Sequence, residues 1–285
     1  MTQALKNVQE LLQTSIGVEG QLLIPRKIMD TLVPEVDKVL IPRSEAAMFF
    51  GPGMIPGSSI DVDLETPRTM TVREVGEGAE IPLDQTEYTS FNLKPKKYGV
   101  AIRITRELME DAKWPLLERN VRVAGKRIAE NENSLVISDA LDNANTTVAG
   151  GAAITIPNLT TAMQNLEDED YTPTTLLVGN EVLNDLRNID TFVEANKVGN
   201  TEMLTRGFLG TIYGMNVLRV STNAGMTTTT AYVTDKMWAY VIAEKRPMTV
   251  EGFNLPTNDM QGTVITQRLA IRQLRAEAIS KITTS

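Results

Sequence analysis

Residues 60–105 read IDVDLETPRTMTVREVGEGAEIPLDQTEYTSFNLKPKKYGVAIRIT, and the pattern inside this stretch decides the architecture of the chain. Ile60, Val62 and Leu64 alternate with Asp61, Asp63 and Glu65, and Met70 and Val72 carry the period of two onward. Gly76-Glu77-Gly78 interrupts it. The alternation resumes at Thr89, Phe91 and Leu93, then at Val100, Ile102 and Ile104 against Ala101 and Arg103. Two β-runs around a glycine break predict a long hairpin, whose arms of about 14 residues would reach about 48 Å. A lone two-stranded ribbon is marginally stable in water, and its edges expose unpaired backbone groups. A chain that carries one must lay it on a neighbour, so the pattern argues for an obligate assembly.

On the N-terminal side, residues 1–57 are punctuated by Pro25, Pro34, Pro42, Pro52 and Pro56 and by Gly17, Gly20, Gly51, Gly53 and Gly57. Short helices are predicted at 3–13 and, with Pro25 at its first position, at 25–33. Too few periodic apolar positions remain for a core, so this segment reads as an arm. On the C-terminal side, a short helix at 105–111 ends near Trp114-Pro115. Pro115 then opens a helix expected over 115–142, about 42 Å long. Leu117, Val121, Ala124, Ile128 and Leu135 give it one apolar stripe. Residues 143–151 read as a polar loop ending in glycine.

Residues 155–243 read as a compact α/β unit. It has helices at 158–165 and 181–187, strands at 174–178, 217–220, 232–234 and 238–243, and a turn around Asn223-Ala224-Gly225 and the threonine run 227–230. In residues 244–285, Ile265, Leu269 and Ile271 suit a strand, while Ile271, Leu274, Ala278 and Ile282 also recur at helical spacing. The break at Gly262 favours long strands.

The 285 residues are 42% apolar and 22% charged, the make-up of a folded chain rather than a disordered one. Lys and Arg number 28 against 36 Asp and Glu, a formal net charge of −8. That is a poor footprint for a dedicated nucleic-acid binder. There is no cysteine and no histidine, which removes disulfides, thiolate zinc sites, Cys nucleophiles and every His-based catalytic arrangement. No apolar run reaches membrane-spanning length, and no signal pattern opens the chain, so it reads as made in the cytoplasm.

Several motifs invite a chemical reading and support none. Gly51-Pro52-Gly53…Gly57 lacks the spacing and the following Lys of a phosphate loop. Glu167-Asp168-Glu169-Asp170 lacks the spaced ligands of a calcium loop and reads as a solvated acidic turn. Glu110 and Asp111 are adjacent, not placed across a cleft as a glycosidase requires. The sequons at Asn145 and Asn158 carry no weight in a cytoplasmically made chain. Tyr98, Trp114, Trp238 and Tyr240 read as core or interface anchors, since no basic groove accompanies them. No catalytic residue, cofactor-binding residue or metal ligand is expected.

The order of parts (arm, hairpin, long helix, α/β unit, returning strands) resembles the major capsid proteins of tailed bacteriophages, the Hong Kong 97 fold. Five segments carry the likeness in order: VEGQLLIPRKIMDTLV, VGEGAEIP, KPKKYGVAIRITRELMEDAKWPLLE, FLGTIYGMNVLRVS and AYVTDKMWAYVIAEKRPMTVE. The resemblance implies an α+β capsid fold with an N-terminal arm at 1–57 and an extended hairpin loop at 58–98. It further implies a peripheral domain with a spine helix at 99–154, an apical α/β domain at 155–243, peripheral return strands at 244–275 and a final strand at 276–285. The implied function is a structural one, self-assembly as pentamers and hexamers into an icosahedral head enclosing double-stranded DNA, located in the virion. The implied partners are a portal, a decoration protein and weakly held DNA, without a membrane. Only about 20 residues precede the arm motif, too few for an independent domain, so a scaffolding protein is expected to be separate. Some relatives crosslink through a lysine near the loop tip, yet 61–93 contains none.

Residues 61–87 hold eight acids against Arg68 and Arg73, a net of −6. Glu74, Glu77 and Glu80 at the loop tip, and Arg119, Arg122, Lys126 and Arg127 on the helix, are therefore the candidate inter-subunit contacts. The helix cations have an alternative use, pairing within their own helix. Two other functions compete: an encapsulin-type nanocompartment shell around a cargo enzyme, and a carboxylate-based hydrolase, which the absence of histidine disfavours.

Overall fold

The computed structural model describes residues 40–41, 43–66, 70–81, 83–111, 116–189 and 210–284. The helices expected at 3–13 and 25–33 lie outside the described residues, as does Trp114.

Two sheets share one helix. The first has strand order β1-β10-β11-β4, made of β1 (Met48–Phe50), β10 (Tyr240–Leu255), β11 (Met260–Gln273) and β4 (Lys96–Thr105). The helix α1 (Arg106–Asp111) continues directly from β4, and α2 (Leu116–Asp139) follows. Val121, Ala124, Ile128 and Ala129 bury the first half of α2 against Ile265, Val100, Ile102 and Val250 of the sheet. The predicted stripe holds there, and α2 stops at Asp139 before a single 3-10 turn, Leu141–Asn143.

The second sheet has order β5-β12-β9-β6-β8-β7, made of β5 (Thr146–Gly151), β12 (Ile279–Thr284), β9 (Thr230–Thr234), β6 (Thr175–Val178), β8 (Met215–Arg219) and β7 (Thr211–Ile212). Helices α3 (Ile156–Glu167) and α4 (Asn180–Asn188) bury Leu159, Ala162, Leu166, Val182, Leu183 and Leu186 against it. Val136, Ile137, Ala140 and Leu141 at the end of α2 meet Tyr240, Leu269 and Ile271 of the first sheet and Leu177, Tyr232 and Ile279 of the second. Among the described residues, one buried cluster therefore spans the junction of the two sheets.

Four sequence expectations change. The hairpin is shorter than its alternation: β2 (Ile60–Glu65) and β3 (Tyr88–Leu93) pair over six positions, and neither Met70 nor Val72 lies in a strand. Pro95, which has no N–H to continue a ladder, separates β3 from β4, and β4 crosses to pair with β11 instead. Residues 146–151, read as loop, form β5, parallel to β12. Gly150 serves close approach there rather than a turn, since a Cβ would lie 2.7 Å from Thr284 Cγ2. The strand expected at 238–243 begins at Tyr240 and belongs to the first sheet, where Val241, Ile242 and Ala243 pair with both β1 and β11. Of the ambiguous C-terminal residues, Ile271 lies in β11 and Ile282 in β12, while Leu274 and Ala278 fall in the turn between these two strands.

Two polar clusters lock the junction. Arg43 donates to Glu132 through Nε (2.9 Å) and Nη2 (3.0 Å), and to Glu244 through Nη1 (3.1 Å). The two carboxylate side chains are only 4% and 5% exposed. Burial alone would lower the Arg43 pKa, but the paired carboxylates hold it above its ordinary value. Beside it, the Ile41 amide donates to Asn133 Oδ1 at 2.9 Å. The second cluster centres on Asp142, which accepts from Tyr232 Oη at 2.6 Å and from Lys281 Nζ at 2.7 Å. Burial pushes the Asp142 carboxyl up, but the bonds from Lys281 and Tyr232 outweigh it and hold the group below its ordinary 3.8.

Replacing Arg43 with Leu leaves two buried carboxylates without a cation, and is expected to cost roughly 3–5 kcal/mol; urea unfolding of the subunit measures it. For Asp142 the folded-state pKa is depressed, so its contribution is present above the unfolded value and lost as pH falls through the folded one. Asp142→Asn should destabilise the subunit near neutrality by a few tenths to about 1 kcal/mol, discounted because the side chain is 45% exposed. The difference from wild type should close below pH 3.8, as read from melting temperatures across pH.

Candidate inter-subunit surface

The hairpin has two parts of opposite character. Its base docks on its own chain: Val62 and Leu93 pack with Ile55, Val241, Ala243 and Leu274 on the face of the first sheet opposite α2. Arg272 lies over the Phe91 ring at 4.9 Å, and Arg275 donates to the Glu65 carbonyl. The expectation that the ribbon buries neither face within its own subunit is thus corrected for these six pairs.

Beyond Glu65 the expectation stands. The Thr66 amide donates to the Glu87 carbonyl at 2.8 Å, and among the described residues no strand follows until Tyr88. Asp84 then holds the two sides together, accepting from the Thr71 amide at 2.9 Å and pairing with Arg73 at 3.8 Å. The tip turns at Gly76–Ala79, with Gly78 at φ 79. Along this loop Val72 is 100% and Leu83 99% exposed, and Met70 and Ile81 are exposed as well. Apolar side chains on a projecting loop face water only while nothing covers them. Reasoning from sequence used Met70 and Val72 as evidence of a strand; apolar residues beyond the last paired position were the unread signal of a partner.

The charged candidates divide. Glu74, Glu77 and Glu80 are all exposed at the tip, and among the described residues none of them forms an ion pair. On α2, Arg119, Arg122, Lys126 and Arg127 are exposed along one side with Val123 between them. Lys126 and Arg127 already pair with Glu130, at 3.9 and 2.8 Å. The alternative of pairing within the helix is therefore realised for these two. The structure does not bring the tip acids and the helix cations together within one subunit.

The anchor aromatics fall as follows. Tyr240 is buried in the junction, with its hydroxyl pKa raised by burial and by Glu45 and Glu132. Tyr98 packs at the edge of the same core. Trp238 is partly exposed under Arg275, 5.4 Å from the ring. At 167–170, α3 ends and Asp170 takes φ 65. Among the described residues, no helix is long and apolar enough to cross a membrane.

Asp84→Ala removes the bond between the two sides of the loop. It is expected to leave the melting temperature nearly unchanged while speeding hydrogen exchange at the Thr71 amide, by about five-fold for a bond worth about 1 kcal/mol.

A family model described as phage capsid protein matches residues 88–277. No curated protein matches the sequence. Among solved structures, the mature capsid of bacteriophage PhiM1 aligns with TM-score 0.64 and 11% identity, over 86% of this chain and 87% of that one. The capsid of cyanophage P-SCSP1u aligns with TM-score 0.64 and 10% identity, over 87% and 89%. A structure from Mycobacterium phage Bobi aligns with TM-score 0.60 and 17% identity, over 83% and 88%.

Proposed function

The chain belongs to the phage capsid protein family, and from that membership we propose that its subunits join as pentamers and hexamers into an icosahedral head around double-stranded DNA. It is a major capsid protein with the Hong Kong 97 type of fold, and its location is the virion capsid. Its work is mechanical rather than catalytic. The family match favours a viral shell over a nanocompartment around a cargo enzyme.

The observation that carries the assembly reading is the loop beyond Glu65, whose fully exposed Val72 and Leu83 have no cover in their own subunit. We place Glu74, Glu77 and Glu80 at the contact with the next subunit. Arg119, Arg122, Lys126 and Arg127 form a second surface between copies. Synthesis in the host cytoplasm, a separate scaffolding protein, a portal and a decoration protein complete the proposed setting. A chain of net charge −8 should touch packaged DNA only weakly, without sequence preference, and less as salt rises.

Deleting residues 66–86 is expected to leave a folded, soluble subunit, because the six-pair hairpin base and its packing remain, but one that forms no closed shell. Electron microscopy with a thermal melt reads both outcomes. Normal particles from the deletion variant would sink the loop's role in assembly.

A further inference from the structure

The face of the first sheet opposite α2 carries three cations abreast. Arg246 on β10 stands opposite Arg268 on β11, and Arg268 stands opposite Lys97 on β4. Opposed residues share a face of the sheet, and like charges so placed repel. Two inter-strand steps of about 4.8 Å set the three within about 10 Å. Their face is fixed by the neighbours. Ile265 packs under α2, so the alternation turns Thr266 and Arg268 away from it, and Arg246 Nη2 donates to Thr266 Oγ1 at 2.9 Å.

The row has no counter-charge of its own. Among the described residues no carboxylate pairs with any of the three. Arg268 Nη2 donates to the neutral Pro95 carbonyl at 3.3 Å. The Arg246 Nε–H is buried and finds no acceptor, which is costly for a donor and calls for one. Elsewhere the clustered cations are answered: Arg43 by Glu132 and Glu244, Lys126 and Arg127 by Glu130, Lys281 by Asp142.

The ground around the row suits a compact ligand. After Lys97 the same face of β4 presents Gly99 and Ala101, so no bulky side chain stands beside the row. A Cβ at Gly99 would lie 2.8 Å from Thr266 Cγ2. The Thr249 and Thr266 hydroxyls lie 3.2 Å apart next to Arg246. On the other side the docked hairpin, packed on Ala270 and Leu274, bounds the row. Val62 of that hairpin faces the sheet, and Asp61 and Asp63 are exposed. A long polyanion laid along the sheet would run against these acids, whereas a small one seated in the row would not.

We propose that the Lys97–Arg268–Arg246 row is a binding site for a small oxyanion of the phosphate class, inorganic phosphate or diphosphate. Its oxygens supply the acceptors that the row lacks. The planar guanidiniums of Arg246 and Arg268 offer paired N–H donors to it, and Lys97 adds a point charge at the exposed end. Occupancy relieves the repulsion across β10, β11 and β4, so the anion stabilises the subunit that binds it. The site lies within one subunit and does not depend on how subunits join.

Sodium diphosphate titrated calorimetrically into the full-length subunit is expected to show one saturable site. It should also raise the melting temperature where sodium chloride at matched ionic strength does not. Lys97→Gln, at an exposed edge-strand position where folding is not at stake, should weaken binding about ten-fold, the worth of one charge-assisted hydrogen bond. Arg268→Gln should weaken it at least as much, and Lys236→Gln, at an exposed cation beyond β9, should leave it unchanged. No saturable site, an equal response to chloride, or an affinity that neither row variant moves overturns the proposal. Short duplex DNA is the competing probe and is expected to leave diphosphate binding undisturbed at matched ionic strength. If it binds more tightly than diphosphate and loses that affinity in Lys97→Gln and Arg268→Gln, the row serves a nucleic-acid backbone and the proposal is wrong.

Discussion

One guanidinium holds three separate parts of the chain in register. Arg43 follows the N-terminal segment, Glu132 sits two-thirds along α2, and Glu244 lies on β10 next to the junction core. Neither carboxylate has water to solvate it, so each is tolerable only while Arg43 is in place. The geometry is demanding in a way that apolar packing is not: a slide of α2 by one residue, about 1.5 Å, breaks two charge-assisted bonds at once. The adjoining Ile41–Asn133 bond fixes the same strap to the same helix. The second lock, Asp142 with Tyr232 and Lys281, ties the far end of α2 to the second sheet. Helix, strap and both sheets therefore move as a unit, and the hairpin docked on the first sheet is aimed by that unit.

That rigidity gives the loop its use. Because Val62 and Leu93 anchor the base against Val241, Ala243 and Leu274, the loop beyond Glu65 projects from a defined place. Among the described residues its own internal ties are few: the Thr66–Glu87 and Ala79–Gly76 backbone bonds and the contacts of Asp84. A stiff base with a loosely tied end can reach a neighbour and adapt to it, at the cost of ordering a small number of residues when it docks.

Much of this was legible in residue patterns. The stripe Val121, Ala124, Ile128 gave α2 and its buried face, and Ile60 to Leu64 against Phe91 and Leu93 gave the hairpin base. What periodicity could not give was pairing. Val100, Ile102 and Ile104 continue the alternation of β3, yet Pro95 hands them to a different partner, the remote strand β11, where they pair with Ile265, Thr263 and Gln261. The parallel strand at 146–151 was hidden because its glycines were read as turn residues, when Gly150 answers to a threonine at the far end of the chain. The charges show the same limit. The acids of the loop could be counted from sequence, and so could the helix cations. Only the register of β10, β11 and β4 sets Arg246, Arg268 and Lys97 side by side, because β4 is remote in sequence from the β10–β11 pair.

The proposed contact between subunits is heterologous: the loop of one subunit meets a different surface of the next. Such contacts generate rings where the rotation closes and open chains where it does not. Closure then depends on the angle between the receiving surface and the loop's departure point near Arg275, which is fixed to the first sheet. Exposed charge pairs are individually weak, about 0.2–1 kcal/mol, and weaken further as salt shortens the screening length. Weak pairs form and break quickly, so a subunit added at a wrong angle is released before the ring closes over the error. The apolar residues beside the tip add non-directional burial once the angle is right. Charge selects the geometry and burial retains it, a division of labour that a subunit with a locked core and one loosely tied loop is built to support.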